Sequence, residues 1–195
     1  MRLTLSWSRS RSGGQGFSLI ELMVTVAVVA ILATVAVPAF STWIQNTKTR
    51  STAEALQNGM RLAKTEAVRR SRLVDFRLTA GTPAKDAATS KTGSNWYVQQ
   101  NGALLAADAT DAAYNLYVQG SSLAGANANV TVAGDVDTLT FTSLGRLGNT
   151  GAASYKFDVA NPGGDRALRI VVTQSGQIRM CDPKIVLSNT TPTGC

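Results

Sequence analysis

Histidine is missing from all 195 residues. Its absence excludes Ser/His and Cys/His nucleophile pairs and histidine-based zinc sites, because both the general base and the imidazole ligand are gone. Cysteine is nearly as scarce. Cys181 and Cys195 are the whole supply, too few for a thiolate zinc site and without a C-x-x-C redox spacing. No Walker phosphate loop occurs, nor a G-x-G-x-x-G run after a strand, and no paired carboxylates stand in a recognisable catalytic context. The expectation is a protein that is not an enzyme, with no metal and no cofactor.

Long apolar runs are also rare, with one exception. Residues 18–37, SLIELMVTVAVVAILATVAV, carry a single charge, Glu21. Such a stretch is long enough to cross a hydrocarbon core of ~30 Å as a helix. No later run reaches that length, so one span is expected. Charge is uneven too. The formal net charge of +7 falls to +4 once Arg2, Arg9 and Arg11 of the first sixteen residues are removed. Most of the remaining surplus lies between Lys48 and Arg77, where eight basic residues face Glu54, Glu66 and Asp75. A second basic stretch, Arg166, Arg169, Arg179 and Lys184, lies near the end of the chain.

The start, MRLTLSWSRSRSGGQG, is polar, basic and glycine-ended, like the first part of a secretory signal. The apolar run that follows is longer than a usual signal core, and an acid stands in its first turn. A charged side chain costs about 2.5–3.5 kcal/mol at mid-membrane on insertion scales, so Glu21 calls for a compensating partner. A plain signal anchor with an incidental glutamate is the bland reading. Cleavage after Ala36 or Ala39 lacks a small-x-small context.

Gly16-Phe17-Ser18-Leu19-Ile20-Glu21 resembles the prepilin peptidase motif of type IV pilins and type II secretion pseudopilins. The apolar helix and Pro38, twenty-second in the chain after cleavage, are similar as well. The resemblance implies cleavage between Gly16 and Phe17, N-methylation of Phe17, and pairing of Glu21 with a terminal amine in the assembling filament. Acid and amine would neutralise each other inside a low-dielectric bundle. The implied organisation is a leader over 1–16, a transmembrane or filament-core helix over 17–45, and a periplasmic or surface head over 46–195. The implied partners are prepilin peptidase, the inner membrane before assembly, and other major and minor pilins.

Past Pro38 the pattern becomes amphipathic. Phe40, Trp43, Ile44 and Thr47 share a face, and Ala53, Leu56, Met60, Ala63 and Ala67 continue at steps of three and four. One helix is predicted over about 17–71, ~80 Å long at 1.5 Å per residue, bent by Pro38, with Gly59 a tolerated weak point. Strands are predicted at 73–79, 95–100, 129–133, 138–142, 154–159, 167–173 and 177–181. A polar loop is predicted at 80–94, and one further strand near Tyr114–Gln119. The fold class is α+β: a type IV pilin-like long N-terminal helix packed on an antiparallel β-sheet head. In the oxidising compartment this implies, the two cysteines would form one bridge, Cys181–Cys195, pinning the tail to the last strand. Two free thiols are the alternative.

Later segments resemble the FimT/FimU/GspH branch of minor pilins and pseudopilins: EALQNGMRLAKTEAVRRS leading into LVDFRL, TFTSLGRLG, and RALRIVVTQSGQIRMCDP before the terminal cysteine. The resemblance implies a minor pilin acting in type IV pilus assembly, or alternatively a pseudopilin of a type II secretion system. Some FimT proteins bind DNA through Gly-Arg-x-Arg. The matching stretch here is Gly176-Gln177-Ile178-Arg179, where Gln177 replaces the first arginine. Arg179 is thus the candidate DNA contact, with Arg146, Arg169 and Lys184 as candidate helpers and Arg166 beside them. A strand arginine facing solvent or pairing with Asp182 is the competing reading.

Overall fold

The computed structural model describes residues 16–101, 116–123, 125, 127 and 129–195. The leader, apart from Gly16, lies outside the described residues. Contacts divide the chain into two units with a boundary between Ala39 and Phe40.

Helix α1 runs Leu19–Arg70, 52 residues, close to the predicted 17–71. Ser18 starts it. Its Oγ accepts the Glu21 N–H at 3.4 Å and its carbonyl accepts the Leu22 N–H at 3.1 Å, which is the arrangement of an N-cap. In the first unit the large apolar side chains of this helix stand exposed, from Leu19 to Val37. Among the described residues no single unbent helix is long and apolar enough to cross a membrane, because α1 bends by 41° between Thr34 and Ala36. The segments Leu19–Thr34 and Ala36–Arg70 meet that requirement together, by length and composition. They join one turn before Pro38, whose missing N–H and bulky ring act on the carbonyl of Thr34.

In the second unit the same helix changes character. Ala53, Leu56, Met60, Ala63 and Ala67 are all fully buried, as their spacing predicts. The helix closes at Ser71, which takes a left-handed φ of 53°. The N–H groups of Ser71 and Arg72 donate to the carbonyls of Val68 and Ala67, each at 3.2 Å. Serine here occupies a place that usually selects glycine.

Eight strands follow among the described residues: β1 (Leu73–Thr79), β2 (Asn95–Asn101), β3 (Tyr117–Ser121), β4 (Thr131–Gly134), β5 (Thr138–Phe141), β6 (Ser154–Ala160), β7 (Leu168–Thr173) and β8 (Ile178–Cys181). They form two antiparallel four-stranded sheets, ordered β3-β2-β1-β5 and β4-β6-β7-β8. The α+β class and the antiparallel head are as the sequence predicts, and the head's strands are divided between two sheets. In chain order the strands change sheet between β3 and β4, again between β4 and β5 at residues 135–137, and again between β5 and β6. One core joins both sheets to the helix: Leu56 and Met60 share a buried cluster with Val74, Phe76 and Leu139 of the first sheet and Phe157, Ile170 and Val172 of the second. Each such side chain contributes about 1.5–3 kcal/mol of burial. Phe76 and Phe157 meet edge to face, centroids 6.5 Å apart. At Gly59 the helix lies close against the sheet, since a Cβ there would lie 2.8 Å from the Trp96 ring.

The outer face of the first sheet is buried as well. The loop after β1 folds back over it, with the Tyr97 hydroxyl donating to the Ala87 carbonyl at 2.6 Å and Thr79 to that of Ala88 at 2.7 Å. The Gln99 amide exchanges hydrogen bonds with Asp86 at 2.8 and 3.0 Å. Beneath this cover Asp75 is fully buried. It accepts from Arg77 (2.7 Å), Asn101 (2.9 Å) and Thr140 (2.7 Å), so its charge is paired and its lone pairs are used.

Candidate functional site

Two regions gather the residues singled out in the sequence. The first is the start of α1. Gly16 is exposed, with nothing within 4 Å of a Cβ built on it. Phe17 is 81% exposed, and the helix begins two residues beyond it. The Gly16–Phe17 bond therefore lies in open, non-helical backbone. Glu21 stands in the first helical turn, where the positive end of the helix dipole favours a carboxylate.

The second region is the outer face of the second sheet. The turn between β7 and β8 is held by Gly176 at φ 77°, and its carbonyl accepts the Lys64 ammonium of α1 at 2.9 Å. The neighbouring turn at Gly145 packs under it, and the Leu147 N–H donates to the Gln174 carbonyl at 3.1 Å. These contacts set the orientation of β8. Its outward residue is Arg179, which lies opposite Val171, and Val171 lies opposite Lys156 of β6. Residues directly opposite in antiparallel strands share a face, so Lys156, Val171 and Arg179 form one row across the sheet. Arg179 has no ion pair or hydrogen bond among the described residues and borders a groove of about 320 Å³ with Val171, Thr173, Gln177 and Leu187.

The other candidates sit differently. Arg169 is on the same face, opposite Cys181, but Asp158 engages it through two bonds of 2.6 and 2.9 Å. Those bonds hold its guanidinium more firmly protonated than usual. Lys184 donates to the Asp165 carbonyl at 2.7 Å. Arg146 is exposed on the turn after β5. Arg166 is exposed, its backbone N–H held by Asn46 at 3.2 Å. The structure thus places Arg179 in one row with Lys156, a residue outside the candidates that the sequence offers. Only the strand register could have found Lys156. Asp182 does not pair with the Arg179 side chain; its carboxylate accepts the backbone N–H of Lys184 at 2.8 Å.

Cys181 and Cys195 are bonded, their Cα atoms 5.3 Å apart. The bridge closes the tail into a tight loop in which the Cys195 N–H also donates to the Ile185 carbonyl at 3.0 Å. Among the described residues no cluster of His, Cys, Asp and Glu could hold a metal ion.

Residues 52–176 match the family model described as type II transport protein GspH, and residues 11–37 match the prokaryotic N-terminal methylation motif. No curated protein matches the chain. Among solved structures, the chain is similar to the type IV minor pilin FimU of Pseudomonas aeruginosa at 24% identity, covering 69% of this chain and 92% of that one, with a TM-score of 0.44. It is also similar to the minor pseudopilin EpsH of the Vibrio cholerae type 2 secretion system, at 14% identity, 71% and 99% coverage and a TM-score of 0.45.

Proposed function

The chain belongs to the type II transport protein GspH family, and from that premise we propose that it is a filament subunit, a minor pilin made as a prepilin for a type IV pilus. The observation that carries this reading is the divided character of α1. Between Leu19 and Val37 its large apolar side chains lie exposed, whereas between Ala53 and Ala67 its apolar stripe is fully buried. So much continuous apolar surface needs lipid, or other helices of the same kind, to cover it.

In this account prepilin peptidase cuts between Gly16 and Phe17, the new Phe17 amine is methylated, and the subunit waits in the inner membrane as a single-pass protein with its head periplasmic. It then joins other major and minor pilins at the cell surface. Glu21, the sole charge in the apolar run, meets a terminal amine in the filament, which removes the penalty of an unpaired buried carboxylate. Its role is structural, in assembly or priming, with no catalytic step. Glu21→Ala tests the pairing: processing should continue while incorporation into filaments is lost. Deletion of the gene should remove pili or the motility they drive. An export defect with pili intact would instead favour the pseudopilin of a type II secretion system.

DNA contact is a second reading, favoured by Arg179 and Lys156, which lie two strands apart in one row of the sheet with Val171 between them. Two phosphate contacts would give a weak, salt-sensitive affinity, with log K falling by about 0.9 per contact for each unit of log salt. Fluorescence anisotropy of the full chain with duplex DNA at two salt concentrations tests it. Arg179→Gln should lower both affinity and slope, and absence of binding at low salt would remove this reading.

A further inference from the structure

Among the described aromatic side chains of the second unit most are buried, Tyr117 is half-buried, and Phe40 and Trp43 stand exposed. Phe40 is 61% and Trp43 is 62% exposed, whereas Trp96 is 4% exposed. The two exposed rings stack on each other, centroids 5.7 Å apart and planes 27° apart. They occupy the face of α1 turned away from the head. Thr49, Thr52 and Ala53 are fully buried under the strands, while Thr47, Arg50 and Glu54, at helical spacing from Phe40 and Trp43, are exposed. Nothing described in this chain covers the pair.

We propose that Phe40 and Trp43 are an interfacial anchor, seated in the headgroup layer of a phospholipid bilayer, which sets the depth at which α1 leaves the membrane before assembly. The inference rests on the membrane-anchored reading above and adds the surface that fixes the depth. The face changes polarity in the order a bilayer does. The apolar run ends at Val37, then come the aromatic pair, the Thr47 hydroxyl, and the Arg50 guanidinium paired with Glu54 at 2.8 Å. Phe40 and Trp43 are separated by a rise of ~4.5 Å, and each interfacial layer outside the hydrocarbon is about 5–8 Å thick. Both rings therefore fit within one layer. Tryptophan is enriched at that depth because its ring has an apolar body and an N–H that reaches the wet layer, and the Phe40 ring stacked on Trp43 adds apolar surface on the hydrocarbon side. Lys48 follows and favours anionic headgroups.

Trp43 makes the test direct, because Trp96 is buried and Trp7 can be replaced. The full chain carrying Trp7→Phe is reconstituted into vesicles of phosphatidylcholine and phosphatidylglycerol. The phosphatidylcholine is brominated either near the glycerol end or near the methyl end of its acyl chains. Insertion is scored separately by flotation after an alkaline carbonate wash, and Trp43→Phe supplies the Trp96 background. The inference predicts stronger quenching by the shallow bromines, a blue-shifted Trp43 emission, and a larger shift when phosphatidylglycerol is present. Flotation with Trp43 unquenched would overturn it and leave the pair for a neighbouring subunit. Flotation with stronger quenching by the deep bromines would overturn it by placing the ring in hydrocarbon. Failure to float would overturn both this inference and the membrane-anchored reading.

Discussion

A Cβ added to Gly176 would lie 1.9 Å from the carbonyl oxygen of Gly145. The two turns that end β5 and β7 are thus pressed together backbone against backbone, and Lys64 of α1 locks the arrangement through the Gly176 carbonyl. In the stretch Gly176-Gln177-Ile178-Arg179, the glycine builds the turn and the arginine faces outward.

Gly176→Ala should therefore destabilise the chain by about 3 kcal/mol or more, combining left-handed strain with a backbone collision. Gly151 provides the control. It has φ 106° but nothing within 4 Å, so Gly151→Ala should cost only the strain, about 1–2 kcal/mol. Thermal melts of the two variants in detergent separate the effects, and equal losses would contradict the close approach.

At the end of α1 the opposite change is expected to help. Ser71 takes a left-handed φ of 53°, so Ser71→Gly relieves strain and gives back part of the gain as unfolded-state entropy. The expected net stabilisation is about 0.5 kcal/mol. A lowered melting temperature would contradict the reading of this turn as a helix cap.

Much of this architecture was legible from spacing alone. Ala53, Leu56, Met60, Ala63 and Ala67 follow helical steps and are buried, and strands such as LVDFRLT and SYKFDV lie where their β-rich composition places them. What escaped was long-range. The burial of both faces of NWYVQQ depends on a loop rich in small polar residues folding back through Asp86 and Ala87, and nothing in that loop's composition announces a cover. Lys156 joined Arg179 only through two strand registers. Phe40 and Trp43 carry the pattern of a buried stripe, yet the head begins to cover the helix later, on another face.

Reduction of the Cys181–Cys195 bond, which closes a separation of 14 residues, should cost about 3 kcal/mol in the chain-entropy model. The Cys181→Ser/Cys195→Ser double variant should melt lower and lose residues 182–195 to protease first. Unchanged tail protection would mean that the backbone bonds to Asp182 and Ile185 suffice.

Glu66 accepts from Arg69 at 2.6 and 3.0 Å and from Arg70 at 2.8 Å. The Arg69 bonds hold its carboxyl below the usual carboxylate range, burial opposes them, and Arg70 adds to them. A carboxylate whose folded pKa is depressed stabilises fully above its unfolded value near ~4.3, and that stability is lost as pH falls through the folded value. Stability should therefore drop below about pH 4, and Glu66→Gln should make that acid limb shallower. An unchanged acid limb would show that the three-residue cluster contributes nothing at the helix end.

The central claim is that this chain is a processed filament subunit, and the mass of its N-terminal peptide, taken from sheared surface filaments, tests it most directly. The account predicts a peptide beginning at Phe17 and heavier by one methyl group, absent when prepilin peptidase is removed or Gly16 is replaced by valine. A chain that begins at Met1, or after Ala36 or Ala39, would contradict it.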